Sequence, residues 1–205
     1  MDKNNLFKKY QLAIQMKHKL LGGKPKSEKL IEGWLKTRGR ENTIDQEIEE
    51  IDTIEEEKKA WSGFKKDEKG LYLNSYQIKG MIKETIKVLG LSKKVKGLKG
   101  LIVSGFFVYP ARIYVGKDKP DGYIEEGCQV MGPKGPRSII KRHDYVENVG
   151  FNFEIWFFDT GILTEKLLDL ILTAGQKVGL GTNRHEGGEY GEFKILKFEK
   201  VHKVD

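Results

Sequence analysis

The sequence predicts an α+β fold of ferredoxin-like (βαββαβ) order, an antiparallel sheet with two helices on one face. Three observations carry that expectation. Residues 8–20, KKYQLAIQMKHKL, alternate, with Tyr10, Leu12, Ile14 and Met16 on one face. Residues 151–159, FNFEIWFFD, repeat that alternation through Phe151, Phe153, Ile155 and Phe157. Two amphipathic helices, each placed between strand-like segments, complete the split βαβ pattern.

The elements follow in order. LGGKPKS ends the first strand, and Ser27 is placed to cap a helix over 28–38 whose Leu30, Ile31, Trp34 and Leu35 share a face. Thr43 and Gln46 have capping-box spacing, and Ile44, Ile48, Ile51 and Ile54 then form a narrow stripe down an acidic helix over 43–57. KKDEKG (65–70) reads as a turn, and Leu71 and Leu73 as a short extended piece. Asn74 or Ser75 caps a helix that buries Ile78, Met81, Ile82, Ile86 and Leu89. SKKVKGLKG (92–100) reads as a basic loop leading into LIVSGFFVYP (101–110), a near-continuous apolar run expected to be a central strand that Pro110 stops. Turn chemistry in GKDKPDG, EEG and MGPKGPRS predicts one or two hairpins over 111–149. A helix over 164–177 (Leu167, Leu168, Ile171, Leu172), a glycine-rich segment and the alternating EFKILKFEKV close the chain. The expectation is one decorated domain over 1–205, with a helical insertion at 24–70, acidic at 41–57, and a basic hairpin excursion at 111–149.

Composition narrows the function classes. The net charge of +7 conceals a segregation, because residues 41–57 hold nine acids and no Lys or Arg. The rest of the chain then sets 37 bases against 21 acids. Such a surplus favours a polyanion, nucleic acid before an acidic protein. No apolar run approaches the ~20 residues of a membrane span, so no membrane partner is expected. MDKNNLFKKYQL has no apolar region behind it, which predicts no signal peptide and a cytoplasmic location. The one cysteine, Cys128, excludes an intramolecular disulfide framework and a cysteine-built zinc site.

The segment GLGTNRHEGGEYGEF (179–193) is far richer in glycine than a connection requires. Gly179, Gly181, Gly187, Gly188 and Gly191 allow close backbone approach and positive φ, and Arg184 and His185 stand at the centre. Backbone N–H groups beside an arginine suit phosphates in series. A nucleotide fingerprint needs GxGxxG between a strand and a following helix; here a helix precedes, a strand follows, and no Walker motif occurs. No cofactor and no metal are therefore expected. A second basic site is PKGPRSIIKRHDY, with Lys134, Arg137, Lys141, Arg142 and His143 for phosphates and Tyr145 for base stacking.

A helix, then GLGTNRHEGGEYGEF, then a terminal strand resembles the C-terminal glycine-rich signature of the RAMP superfamily, CRISPR-associated RNA-binding proteins built on ferredoxin-like domains. NSYQIKGMIKETI is similar to the G-S-S-I-K-G-x-x-R helix start of the RAMP backbone subunits. Ile78, Lys79 and Gly80 match, and Lys83 takes the place of the arginine. Ser75 stands where the glycine would be, and Tyr76 and Gln77 replace the two serines. The resemblance implies RNA contact by Lys79, Lys83, Arg184 and the backbone of Gly179 and Gly181. It also implies a thumb-like role for 111–149 over a guide RNA, and assembly with copies of the chain or other effector subunits in antiviral defence.

Three functions follow. The first is binding of single-stranded, guide-type RNA along its phosphates, as a CRISPR effector backbone-like subunit or a mobile-element relative. The second is metal-independent, repeat-processing endoribonuclease activity, for which His185 and His143 are the candidate catalytic residues. RAMP processing nucleases carry their histidine nearer the N-terminus, where no position here matches, so binding is favoured over cutting. The third is a protein-interaction module using the acidic helix 43–57.

Overall fold

The computed structural model describes residues 6–25, 61–132, 135–182, 184 and 190–201. The helices expected over 28–38 and 43–57, together with Lys134, His185, Gly187 and Gly188, lie outside the described residues. In chain order the strands are β1 (Phe7–Met16), β2 (Leu20–Leu21), β3 (Lys24–Pro25), β4 (Trp61–Gly63), β5 (Lys65–Asp67) and β6 (Gly70–Asn74). Helices α1 (Ser75–Val88), α2 (Leu91–Lys94) and α3 (Leu98–Ser104) follow. Then come β7 (Phe106–Tyr109), β8 (Arg112–Tyr114), β9 (Gly122–Gly132), β10 (Gly135–Val146), β11 (Gly150–Phe158), α4 (Glu165–Val178) and β12 (Phe193–Lys200).

The chain groups into two compact units, one of residues 1–20, 66–119 and 147–205, the other of 21–65 and 120–146. The first unit holds the antiparallel sheet β12-β1-β11-β7. Its order is that of the ferredoxin-like βαββαβ fold, with α1 between β1 and β7 and α4 between β11 and β12. One sheet face buries Tyr10, Leu12, Ile14, Met16, Phe106, Phe153, Ile155 and Phe157. Helices α1 and α4 supply the opposing Ile78, Met81, Ile82, Ile86, Leu168, Ile171 and Leu172. Each such side chain removed from water contributes about 1.5–3 kcal/mol, so this layer is the main source of stability. Gly175 sits where the helices meet: a Cβ there would fall 2.6 Å from Met81 Sδ.

Local signals start both helices. The Asn74 N–H donates to Gln77 Oε1 at 2.9 Å, the return half of a capping box. Thr164 Oγ1 accepts from the Leu167 N–H at 3.2 Å. One expectation needs correction. LIVSGFFVYP is not a central strand: its first four residues belong to α3, and among the described residues β7 lies at the sheet edge, paired with β11 alone. Leu98, Leu101 and Ile102 recur at helical spacing and are buried. A short apolar run looks alike as buried helix or buried strand, and here Gly97 and Gly105 bracket the helix. The basic segment 92–100 likewise contributes to α2 and α3 instead of forming one loop.

In the same unit, β5, β6 and β8 form a three-stranded sheet. Asp67 accepts from the Lys69 N–H at 2.9 Å and from the Tyr114 hydroxyl and Arg112 Nη1 at 2.8 Å each. Against the upward pull of burial, these hydrogen bonds, the Lys69 one foremost, hold its carboxyl below the usual value.

The second unit is built from both insertions. The hairpin expected within 111–149 is β9–β10, in register from Gly132↔Gly135 to Gly122↔Tyr145. β4 runs parallel to β10, pairing Arg142 with Trp61 and His143 with Ser62, and β3 pairs with β4. Gly22 passes so close to Gly63 that a Cβ would lie 2.3 Å from its carbonyl carbon, which leaves no room for a side chain.

Candidate nucleic-acid interface

Helix α1 presents Lys83 and Lys87 on its exposed side, one turn apart, and α2–α3 present Lys93, Lys94, Lys96 and Lys99. Glu84 is the single acid between Ser75 and Gly105. Lys83, Lys87 and Lys99 converge with Ser92 on a cavity of about 280 Å3, floored by Ile86, Ile102 and Val103. Glu84 lines it too and reaches Lys87 at 3.5 Å. Cations with solvated heads above an apolar floor have the chemistry to take phosphate groups with little discrimination between sequences. Lys87 and Lys99 were not singled out by sequence reasoning. Their signal was the lysine run itself, which reads as a loop until α3 is recognised as a helix.

Lys79 is tied into the fold. Its ammonium donates to the Val103 carbonyl at 2.9 Å and the Phe106 carbonyl at 2.8 Å, tying α1 to the end of α3 and the start of β7. Burial, with Lys83 nearby, lowers its pKa. Two of its three donors are thereby used inside the fold.

The glycine-rich segment is anchored at both ends. The Leu180 N–H donates to the Gly191 carbonyl at 2.9 Å, and the Gly191 N–H to the Lys19 carbonyl at 3.0 Å. Gly191 has φ +78°, and a Cβ there would lie 2.1 Å from the Leu180 oxygen. Gly179 (φ +78°) would meet the Gly191 carbonyl at 2.9 Å. These two glycines close the base of the loop, and Gly181, at φ +85°, turns the chain beyond it. Half-buried Arg184 directs Nη1 to the Gly181 carbonyl at 3.4 Å. Burial lowers the pKa of its guanidinium, while Glu84 of α1 acts in the opposite sense. Glu192, just after the loop, takes two 2.9 Å hydrogen bonds from Lys177.

The hairpin residues divide. Arg142 Nε donates to Glu125 Oε1 at 2.8 Å, and its guanidinium stands 4.8 Å from the Trp61 ring and 4.3 Å from that of Tyr123. Lys141 is registered opposite Glu126. The Tyr145 ring packs on Gly122, where a Cβ would meet its hydroxyl at 2.9 Å. The base of the hairpin is thus internally compensated. Towards the turn, residues 129–140 carry Lys134 and Arg137 and no acid; the Arg137 side chain, like Lys134, lies outside the description.

His143 is buried, 6% exposed. Ser62 Oγ donates to the Gly22 carbonyl at 2.8 Å and lies 2.5 Å from His143 Nδ1. With its one proton given to Gly22, Ser62 must accept from Nδ1–H, the reverse of a base activating a nucleophile. Trp61 Nε1 donates to Asp144 beside it at 2.6 Å. Among the described residues no group of three or more His, Cys, Asp and Glu side chains could hold a metal. No described helix is long and apolar enough to cross a membrane.

The fold has a structural counterpart. A chain from the cryo-EM structure of the Type III-B Cmr-beta assembly bound to cognate target RNA is similar over 97% of this chain, with a TM-score of 0.52 and 18% identity. The likeness is one of fold. This chain spans 62% of the length of that one. No protein-family model matches the sequence, and no curated protein matches it.

Proposed function

We propose that the protein binds single-stranded RNA along its phosphate backbone, as a CRISPR effector subunit of the backbone type or a mobile-element relative. The observation that carries this reading is the cavity lined by Lys83, Lys87 and Lys99; Arg184 of the glycine loop lies within electrostatic reach of Glu84, which lines the same cavity. The structural counterpart belongs to an assembly bound to RNA, which supports the class of ligand. Phosphate groups would run over the lysine surface and meet Gly181 and Arg184 at the loop. Lys134 and Arg137 of the hairpin are assigned to the same RNA. Copies of the chain or other effector subunits would sit side by side along it. Lys79 supports this surface from within.

The deciding experiment is fluorescence anisotropy with a labelled single-stranded RNA. Lys83→Glu combined with Lys99→Glu is expected to weaken binding at least tenfold, and adding Arg184→Glu to abolish it, with circular dichroism unchanged. Wild-type affinity in the triple variant would refute the assignment.

A further inference from the structure

The sheet face opposite the helices carries chemistry that phosphate binding does not use. Along β1 and β11 the buried residues alternate with Lys9, Gln11, Ala13, Asn152, Glu154 and Trp156, which point the other way. Strand order turns these into rows. Gln11 pairs with Glu154 and Glu154 with Tyr109, so an amide, a carboxylate and a phenol stand side by side on three adjacent strands. The next row is Lys9, Trp156 and Phe107. The Lys9 ammonium caps the Trp156 ring at 3.7 Å, and Trp156 Nε1 donates to Glu154 Oε2 at 2.8 Å, which orients the carboxylate. Ala13, opposite Asn152, leaves the floor low. Gln11, Tyr109, Pro110, Asn152, Phe153 and Glu154 line a cavity of about 420 Å3. Tyr109 packs at a tilt against the Trp156 ring, 5.0 Å between centroids, and is 43% exposed, which leaves part of its ring open to a base.

We infer that this cavity takes one unpaired guanine base of the bound RNA; the inference rests on the RNA-binding reading above. A carboxylate only accepts hydrogen bonds, and guanine alone among the four bases offers two adjacent donors, N1–H and N2–H, to a single carboxylate. The amide N–H groups of Gln11 or Asn152 supply donors for O6. Adenine would turn its N1 acceptor towards Glu154, and uracil would flank its one N–H with two carbonyls. Tyr109 stacks on the base from the edge strand. Exposed Lys194 and Lys197, registered beside Gln15 and Ala13 on β12, stand where the flanking phosphates would pass.

The test is anisotropy with full-length protein, a uridine-only oligonucleotide and the same oligonucleotide carrying a single central guanosine, inosine or adenosine. A bidentate contact predicts about tenfold tighter binding of the guanosine version, with inosine, which lacks the N2 amine, intermediate. Glu154→Gln is expected to remove the guanosine advantage and leave uridine-only binding unchanged. Tyr109→Ala should weaken the guanosine oligonucleotide about tenfold, and Tyr109→Phe should restore it. Lys83→Glu with Lys99→Glu should weaken all the oligonucleotides equally and keep the preference. Equal, salt-sensitive binding of all the oligonucleotides would overturn the guanine site and leave RNA binding standing. Binding of none would refute both. Loss of self-association in Tyr109→Ala with unaltered RNA affinity would mark the face as an interface between copies and overturn the inference.

Discussion

Gly191 and Glu192 set the terms at the glycine loop one residue at a time. A Cβ on Gly191 would have to displace the Leu180 carbonyl, which is backbone and cannot swing aside, at a φ that L-residues rarely adopt. Gly191→Ala is therefore expected to cost about 2 kcal/mol or more, read as a lower denaturant midpoint with an unchanged slope. Glu192 has its pKa lowered chiefly by the Lys177 hydrogen bond, with Lys17 contributing at 3.8 Å. A carboxyl held lower in the folded state stabilises the fold above its ordinary value of 4.5, and that stabilisation is lost as pH falls through the lower folded value. Glu192→Gln should therefore be less stable than wild type at neutral pH. The gap should close on acidification, which urea titrations across that range would measure.

At the scale of elements, Lys79 and Lys83 stand one turn apart on α1 yet serve different ends. Lys79 fastens α1 to α3 and β7 by two carbonyls, whereas Lys83 is exposed on the cavity rim. Replacing Lys79 by Met leaves both carbonyls without that donor, with an expected loss of about 1–3 kcal/mol in stability. RNA affinity of the folded variant should change far less than in Lys83→Glu with Lys99→Glu. Anisotropy measured beside thermal melts separates the two effects. Within the second unit Arg142 is held by Glu125, Trp61 and Tyr123, and Lys141 is registered opposite Glu126, so each of these two basic residues meets its own acid across the hairpin.

Across the whole molecule the prediction is electrostatic. Binding through phosphates should weaken linearly in log–log plots against salt, and each lysine removed should reduce the slope by roughly 0.7. Lys83→Gln with Lys99→Gln is thus expected to reduce it by roughly 1.4, a change that anisotropy titrations at several salt concentrations would resolve. What the amino-acid order determined by itself was local and periodic. Tyr10, Leu12, Ile14 and Met16 announced a two-residue repeat, Leu168, Ile171 and Leu172 a helical one, and their succession prescribed βαββαβ. Where the pattern was short, as in LIVS before FFVY, helix and strand could not be told apart. Tertiary structure alone decided which distant residues became neighbours. It brought Lys83 and Lys99 to one cavity, joined the two insertions through β4 and β10, and placed Gln11, Glu154 and Tyr109 in one row. Those contacts depend on strand adjacency and helix packing between segments far apart in the chain, and periodicity along a single segment carries no record of either.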